Sequence, residues 1–265
     1  MNSILIREIA KMIDHSLLHP TMTDADLRDG CELARKYDVA SVCVKPYAVS
    51  MAAALLTGTD RSRSGVLAGA VLVGTVIGFP HGNSTTGIKV AETEQACRDG
   101  AVEIDMVVNI GKVLGKDWDY VQAEIRAVHD VCQTHGAILK VIFENDFLPD
   151  DMHKIRLCEI CTTVGVEFVK TSTGYGFVKD SDGKYSYEGA TVRDLQLMLD
   201  HIGPSVRVKA AGGIRTLDGL LTVKAMGVSR VGASATASIM EDAYHRFGTM
   251  SGTVPTVPII ESKGY

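Results

Sequence analysis

The stretch Phe168-Val169-Lys170-Thr171-Ser172-Thr173-Gly174 places an amine inside an apolar, β-branched run that ends at glycine, as a strand reaching its turn would. A free lysine has a pKa near 10.4, so only about one amine in a few thousand is neutral at pH 7. Apolar walls or a second cation lower that pKa and yield a nucleophilic amine able to form a Schiff base. A candidate second cation sits on the same plan in Val206-Arg207-Val208-Lys209-Ala210-Ala211-Gly212-Gly213. A lone lysine of this kind is most simply an amine snorkelling from a strand end, but two such strands weaken that reading. Val102-Glu103-Ile104-Asp105-Met106-Val107-Val108-Asn109 adds two acids to a strand, and alternation puts Glu103, Asp105, Val107 and Asn109 on one side.

The elements that must position these groups repeat along the chain. Strand-like runs centre near residues 13, 43, 76, 105, 141, 170, 209 and 232, with a helical stretch in each gap. Eight βα units imply parallel pairing, and about 250 residues is the length of a closed (β/α)8 barrel. The expected fold is therefore α/β, a single (β/α)8 TIM barrel over residues 1–248 with a short N-terminal helix. Residues 249–265, rich in Gly, Ser, Thr and Pro, read as a flexible C-terminal tail. A doubly wound open sheet is the alternative, because periodicity does not show closure; the Gly-x-Gly-x-x-Gly dinucleotide fingerprint is absent after the first strand. Locally, the first strand is read to end at Ile13-Asp14, and Thr23-Asp24-Ala25-Asp26 caps a helix reaching Tyr37. The third strand is read from Gly74 to Pro80. Asp182-Gly183, between aromatic and β-branched arms in the polar stretch Phe177 to Tyr187, signals a hairpin.

With 265 residues, 46% hydrophobic and 22% charged, the chain has ordinary globular composition. Its net charge of -5 argues against nucleic acid or an anionic membrane as the main partner, so any phosphate binding must be local. The longest apolar run, Val66 to Phe79, is interrupted by glycines and too short to span a membrane, and reads as a buried strand. The N-terminus lacks a basic start followed by a secretory apolar core, and a cytoplasmic protein is expected. Six scattered cysteines suit reduced thiols. Cys158-Glu159-Ile160-Cys161 is the one close pair, and no second pair or matching histidines complete a zinc site. His15 and His19 lack an acid at metal spacing. No metal and no cofactor are expected.

In such a barrel the reactive groups come from the carboxyl ends of several strands, which here offer Asp14, Cys43, Asp105, Lys170 and Lys209. Loops after the seventh and eighth strands often hold phosphate. Gly212-Gly213-Ile214-Arg215 and Gly232-Ala233-Ser234 supply open backbone amides at helix starts and one guanidinium, although the same glycines would also serve as tight turns.

Five stretches, Gly78-Phe79-Pro80-His81-Gly82, Glu103-Ile104-Asp105-Met106-Val107, Val169 to Gly174, Lys209 to Arg215 and Gly232-Ala233-Ser234, together resemble the deoxyribose-phosphate aldolase family of class I aldolases. The likeness runs from about Met12 to Phe247. It implies that Lys170 is the Schiff-base lysine, Lys209 the neighbour that depresses its pKa, Asp105 the acid/base group and Asp14 a support to the relay. It also implies that Thr173, Gly174, Gly212, Gly213, Arg215, Gly232 and Ser234 surround a substrate phosphate, while Cys43 lines the pocket. The implied reaction is reversible cleavage of 2-deoxy-D-ribose 5-phosphate to acetaldehyde and D-glyceraldehyde 3-phosphate, without metal or cofactor. The expected partner is a small phosphorylated sugar, and the expected assembly a homo-oligomer, dimer or tetramer. Tyr265 would either reach the pocket and assist protonation of the enamine or belong to a disordered end. Two features depart from the family: Tyr175 stands where many members carry lysine, and the Phe177 to Tyr187 hairpin is added. A related class I aldolase with a different aldehyde acceptor therefore stands as an alternative. So does a phosphosugar isomerase or epimerase using Asp105 as base, which leaves both buried lysines unexplained. A noncatalytic phosphosugar-binding barrel is the third, and its sequence sign would be loss of Lys170, Lys209 or Asp105.

Overall fold

Short runs rich in Val, Ile and Ala suit strands buried on both faces, which only a parallel sheet covered by helices provides. The computed structural model describes residues 2–57 and 70–248, and in it eight such strands close into one parallel barrel. In chain order they begin with β1 (Ile13–Leu17), β2 (Ser41–Val44), β3 (Leu72–Ile77), β4 (Glu103–Val107), β5 (Ile138–Ile142) and β6 (Phe168–Lys170). A separate antiparallel pair follows, β7 (Val178–Lys179) and β8 (Tyr185–Ser186), and then β9 (Arg207–Ala211) and β10 (Arg230–Ala233) complete the ring. Around the barrel the order is β1-β10-β9-β6-β5-β4-β3-β2, with β1 pairing both β2 and β10. That closure excludes the open sheet.

Helices α1 (Asn2–Ala10), α2 (Asp24–Lys36), α3 (Val49–Thr57), α4 (Thr86–Asp99), α5 (Ile110–Leu114), α6 (Trp118–His135), α7 (Asp151–Val164), α8 (Val192–His201), α9 (Leu217–Met226) and α10 (Thr236–Phe247) alternate with the strands. Thr23 and Asp26 form a reciprocal capping box at the start of α2. The ends of α4, α6, α7 and α9 are left-handed glycines that close the last turn. Leu27, Val49, Ile125, Leu157, Leu195, Leu220 and Ile239 seal the helix layer onto the strands. Cys158 and Cys161 are buried in α7, and all six cysteines are free thiols. No described helix is long and apolar enough to cross a membrane.

Several strand limits differ from the sequence reading: β4 stops at Val107, before Asn109, which caps α5, and β6 stops at Lys170, before the Thr171-Ser172-Thr173 run. β1 continues past Asp14 to Leu17, whose register partner is Val44, because His15 and Ser16 interrupt the apolar pattern without interrupting the ladder. His15 is buried beside the Thr236 hydroxyl, 2.8 Å from ring Nδ1, and burial lowers its pKa to about 4, so the ring is neutral. β3 ends at Ile77, short of Pro80. The tail expected at 249–265, with Tyr265, lies outside the described residues, as do residues 66–69 of the apolar run.

Candidate active site

The barrel interior holds an ionic layer. Only Lys170 is the last residue of its strand; Asp14, Asp105 and Lys209 lie within theirs, so the expectation that all the reactive groups sit at carboxyl ends is corrected. The register still brings them together. Lys170 stands level with Lys209, and Asp105 with Lys140, on neighbouring strands. Asp105 is wholly buried and bridges three amines: Oδ2 accepts from Lys170 Nζ at 2.8 Å and from Lys209 Nζ at 2.7 Å, while Oδ1 accepts from Lys140 Nζ at 2.9 Å. Lys209 also pairs with Asp14 at 2.6 Å. Lys140 donates to Glu103 at 2.5 Å, and Arg230 ties Glu103, at 2.9 Å, to Asp14. Ser41 donates to Asp14 at 2.8 Å.

The layer thus contains four basic groups, Lys140, Lys170, Lys209 and Arg230, against three carboxylates, Asp14, Glu103 and Asp105. Uncompensated charge is costly in so dry a place. Releasing one proton brings the layer to neutrality, and the surroundings select which amine releases it. Burial lowers the Lys170 pKa, Asp105 opposes this, and the Lys209 cation lowers it again, leaving it below that of an ordinary lysine. Burial also works against the charge of Lys209, but Asp105 and Asp14 together outweigh it and raise its pKa. Lys140 is likewise raised, since Asp105, Asp14 and Glu103 overcome burial. Burial would raise the carboxyl pKa values of Asp14 and Asp105, yet Arg230 with Lys140 and Lys209 holds Asp14 low, and the three lysines hold Asp105 low. Of the three lysines, Lys170 is therefore the one that gives up its proton most readily, beside an ionised carboxylate and a second, protonated amine.

At the mouth, Leu18, Cys43 and Val76 form a small apolar cluster against Phe79 and Tyr175, whose rings meet edge to face at 5.3 Å. Burial pushes the Cys43 thiol up to about 11, so it lines the wall as a neutral group. Gly212 and Gly213 follow β9 with φ of +91° and +86°, conformations open to glycine, and α9 then begins under the Thr216 cap. At α10 the cap position is Ala235, which makes no side-chain bond, so the first-turn amides after Gly232, Ala233 and Ser234 have no side-chain cap. Arg215 and Ser234 are exposed. Thr173 is held differently from Gly174: its N–H donates to Glu144 at 3.1 Å, and its hydroxyl donates to the other carboxyl oxygen.

Sequence reasoning passed over Lys140, Arg230 and Glu144. Lys140 carries the same signal as Lys170, an amine inside an apolar strand, and could have been found by it. Arg230 opens its strand and looks like a solvent-facing start; only barrel closure turns it onto Asp14. Glu144 is buried just past β5 with φ of +59°, and an added Cβ at Gly176 would come within 2.7 Å of its carboxyl carbon. It therefore fixes the course of the Thr173 to Gly176 turn directly after Lys170. Burial pushes the Glu144 carboxyl up to about 7, Thr173 acting against this. The folded chain then holds a proton on Glu144 that the unfolded chain, with a pKa of about 4.3, has released. Stability contributed by this group is full below about pH 4.3 and is lost as pH rises through about 7. Glu144→Gln is expected to flatten this decline, measured as the difference between the unfolding free energies of the two proteins across the window. Parallel profiles would show that Glu144 does not titrate there.

Comparison with known proteins gives a consistent picture. The family described as DeoC/LacD family aldolase matches residues 8–252. A deoxyribose-phosphate aldolase of Rhodopirellula baltica is 52% identical over 241 residues, 91% of either chain. One from Clostridium perfringens is 40% identical, covering 89% of this chain and 95% of its own. Among solved structures, a deoxyribose phosphate aldolase from Aeropyrum pernix, described as a unique tetramer, matches with a TM-score of 0.76 and 25% identity over 89% of this chain and 91% of its own.

Proposed function

This chain belongs to the DeoC/LacD family of aldolases, and from that premise we propose that it reversibly cleaves 2-deoxy-D-ribose 5-phosphate to acetaldehyde and D-glyceraldehyde 3-phosphate through a Schiff base on Lys170. The observation that carries this reading is the Asp105 carboxylate lying between Lys170 and Lys209, at 2.8 and 2.7 Å. The neutral Lys170 amine attacks the C1 carbonyl, and loss of water leaves a protonated iminium. Asp105, directly or through one water, takes the proton of the C3 hydroxyl as the C2–C3 bond breaks. The bonding pair moves into the iminium, giving an enamine on Lys170, and D-glyceraldehyde 3-phosphate departs. Protonation of the enamine carbon and hydrolysis release acetaldehyde and return the amine. The iminium is the electron sink, so the steps balance without a metal ion. Lys209 stays protonated throughout, held by Asp14 and Asp105.

Phosphate is assigned to the Gly212–Arg215 and Gly232–Ser234 loops with Gly174 and the turn set by Thr173, because glycine backbone amides at helix starts and a guanidinium are donors suited to an anion. Free thiols at all six cysteines support a cytoplasmic enzyme. A homo-oligomer, dimer or tetramer, is the assembly proposed, by likeness to the tetrameric Aeropyrum relative. The test is to incubate the protein with acetaldehyde, reduce with borohydride, digest it and locate the ethylated lysine by mass spectrometry. An adduct on the peptide bearing Lys170 is expected. No specific adduct would end the Schiff-base reading, and one confined to Lys209 would exchange the two lysines.

A further inference from the structure

The β7–β8 hairpin has no part in the chemistry above, yet its return segment is fastened to the loop assigned to phosphate. Asp146, just beyond β5, accepts the backbone N–H groups of Glu188, at 2.5 Å, and Gly189, at 3.2 Å. Ala190 N–H then donates to the Gly212 carbonyl at 3.1 Å. The two backbones touch: a Cβ added to Gly189 would lie 2.6 Å from the Gly212 oxygen, and one added to Gly212 would lie 3.0 Å from Gly189 Cα. No side chain fits between them. Tyr187, the residue before this clamp, has ring atom Cε2 only 3.6 Å from the same Gly212 Cβ position. Its ring is steadied edge to face by Phe177, at 5.3 Å, from the other arm of the hairpin. Its hydroxyl accepts from Arg215 Nη2 at 3.3 Å.

We propose that Tyr187 is a specificity-determining residue that positions the Arg215 guanidinium and adds its own O–H for the phosphate end of the substrate. This rests on the assignment of phosphate to the Gly212–Arg215 loop. An arginine on an exposed loop samples many rotamers, and a partner that holds its fork in place reduces the ordering cost of binding. The Tyr187 oxygen accepts from Arg215, so its hydrogen remains free to donate onto a phosphate oxygen. The two groups then present adjacent donors of fixed spacing, in a chain whose residue after Gly174 is Tyr175 and so brings no cation there. The hairpin, held at its base by Asp146, keeps Tyr187 over Gly212.

The experiment measures kcat/KM for 2-deoxyribose 5-phosphate and for free 2-deoxyribose in the full-length protein and in Tyr187→Phe, Arg215→Ala and the double variant. Tyr187→Phe is expected to lower kcat/KM for the phosphorylated sugar about five- to tenfold more than for the free sugar, as loss of one or two hydrogen bonds would. The loss is expected in KM, and Tyr187→Phe should cost less in the Arg215→Ala background than in the native protein, because there only its own hydrogen bond to phosphate remains to be lost. Inorganic phosphate should inhibit turnover of the free sugar less strongly in Tyr187→Phe. If Arg215→Ala discriminates between the sugars but Tyr187→Phe affects both equally, or its loss lies in kcat, Tyr187 has no such role while the phosphate assignment stands. If Arg215→Ala also affects both sugars equally, the phosphate assignment fails and this inference fails with it.

Discussion

Lys170→Leu is expected to lower kcat by on the order of 10⁴-fold or more, because the covalent route disappears with its nucleophile and what remains is binding alone. The same variant should show no ethyl adduct after acetaldehyde and borohydride. Its stability distinguishes the state of this amine from that of its neighbour. A neutral Lys170 contributes no charge to the buried layer, so leucine leaves three cations facing three carboxylates and disturbs folding little. Lys209→Leu is expected to behave otherwise. It strips a protonated amine from Asp14 at 2.6 Å and Asp105 at 2.7 Å, leaving carboxylates buried without it, a loss of about 3–5 kcal/mol for a broken buried pair. Denaturant unfolding of the two variants at pH 7 gives the comparison. Equal destabilisation would mean that both lysines are charged in the free enzyme and that the layer is not neutral.

The barrel was legible because strands buried on both faces must read as short apolar runs, and helices between them as helical-period runs ended by glycine. The two lysines and Asp105 were legible for the opposite reason: charge inside such a run contradicts its surroundings and asks for a partner. What the sequence withheld is the identity of the partners. Asp14 and Arg230 lie 216 positions apart and meet only because β1 closes onto β10. Lys140 reaches Glu103 and Asp105 because β4 and β5 pair with Asp105 level with Lys140. Neither register nor closure can be read from periodicity.

The loops show the same division. The Asp182-Gly183 signal located the hairpin, because a tight turn is a local preference. Its fastening to Gly212 through Gly189 and Ala190 is a contact between segments more than twenty residues apart, and no local propensity encodes it. Glu144 escaped notice because it reads as the polar end of an apolar strand, whereas the chain leaves β5 at Ile142 and turns Glu144 inward onto Thr173.

Asp105→Asn is the variant that separates the making of the imine from the breaking of the carbon–carbon bond. Asparagine keeps the shape but cannot take the C3 hydroxyl proton, so kcat for cleavage is expected to fall by roughly 10²- to 10⁴-fold, the usual contribution of a general base. Imine formation needs only a neutral Lys170, and that requirement is met more easily in the variant. In the native layer Asp105 is the charge that opposes the lowering of the Lys170 pKa, while burial and Lys209 promote it. Without the carboxylate the Lys170 pKa falls further, so the limb along which borohydride trapping rises with pH should move to lower pH. Trapping at Lys170 is thus expected to survive, shifted toward acid, in a protein that has almost stopped cleaving its substrate. The substitution also removes one negative charge from among three amines, and reduced stability is expected because Lys140 and Lys209 lose a buried partner. Trapping should be followed where the variant is shown to be folded. Cleavage within tenfold of the native rate would move the base to another group, and a trapping limb displaced toward alkali would mean that Asp105 does not set the charge of Lys170.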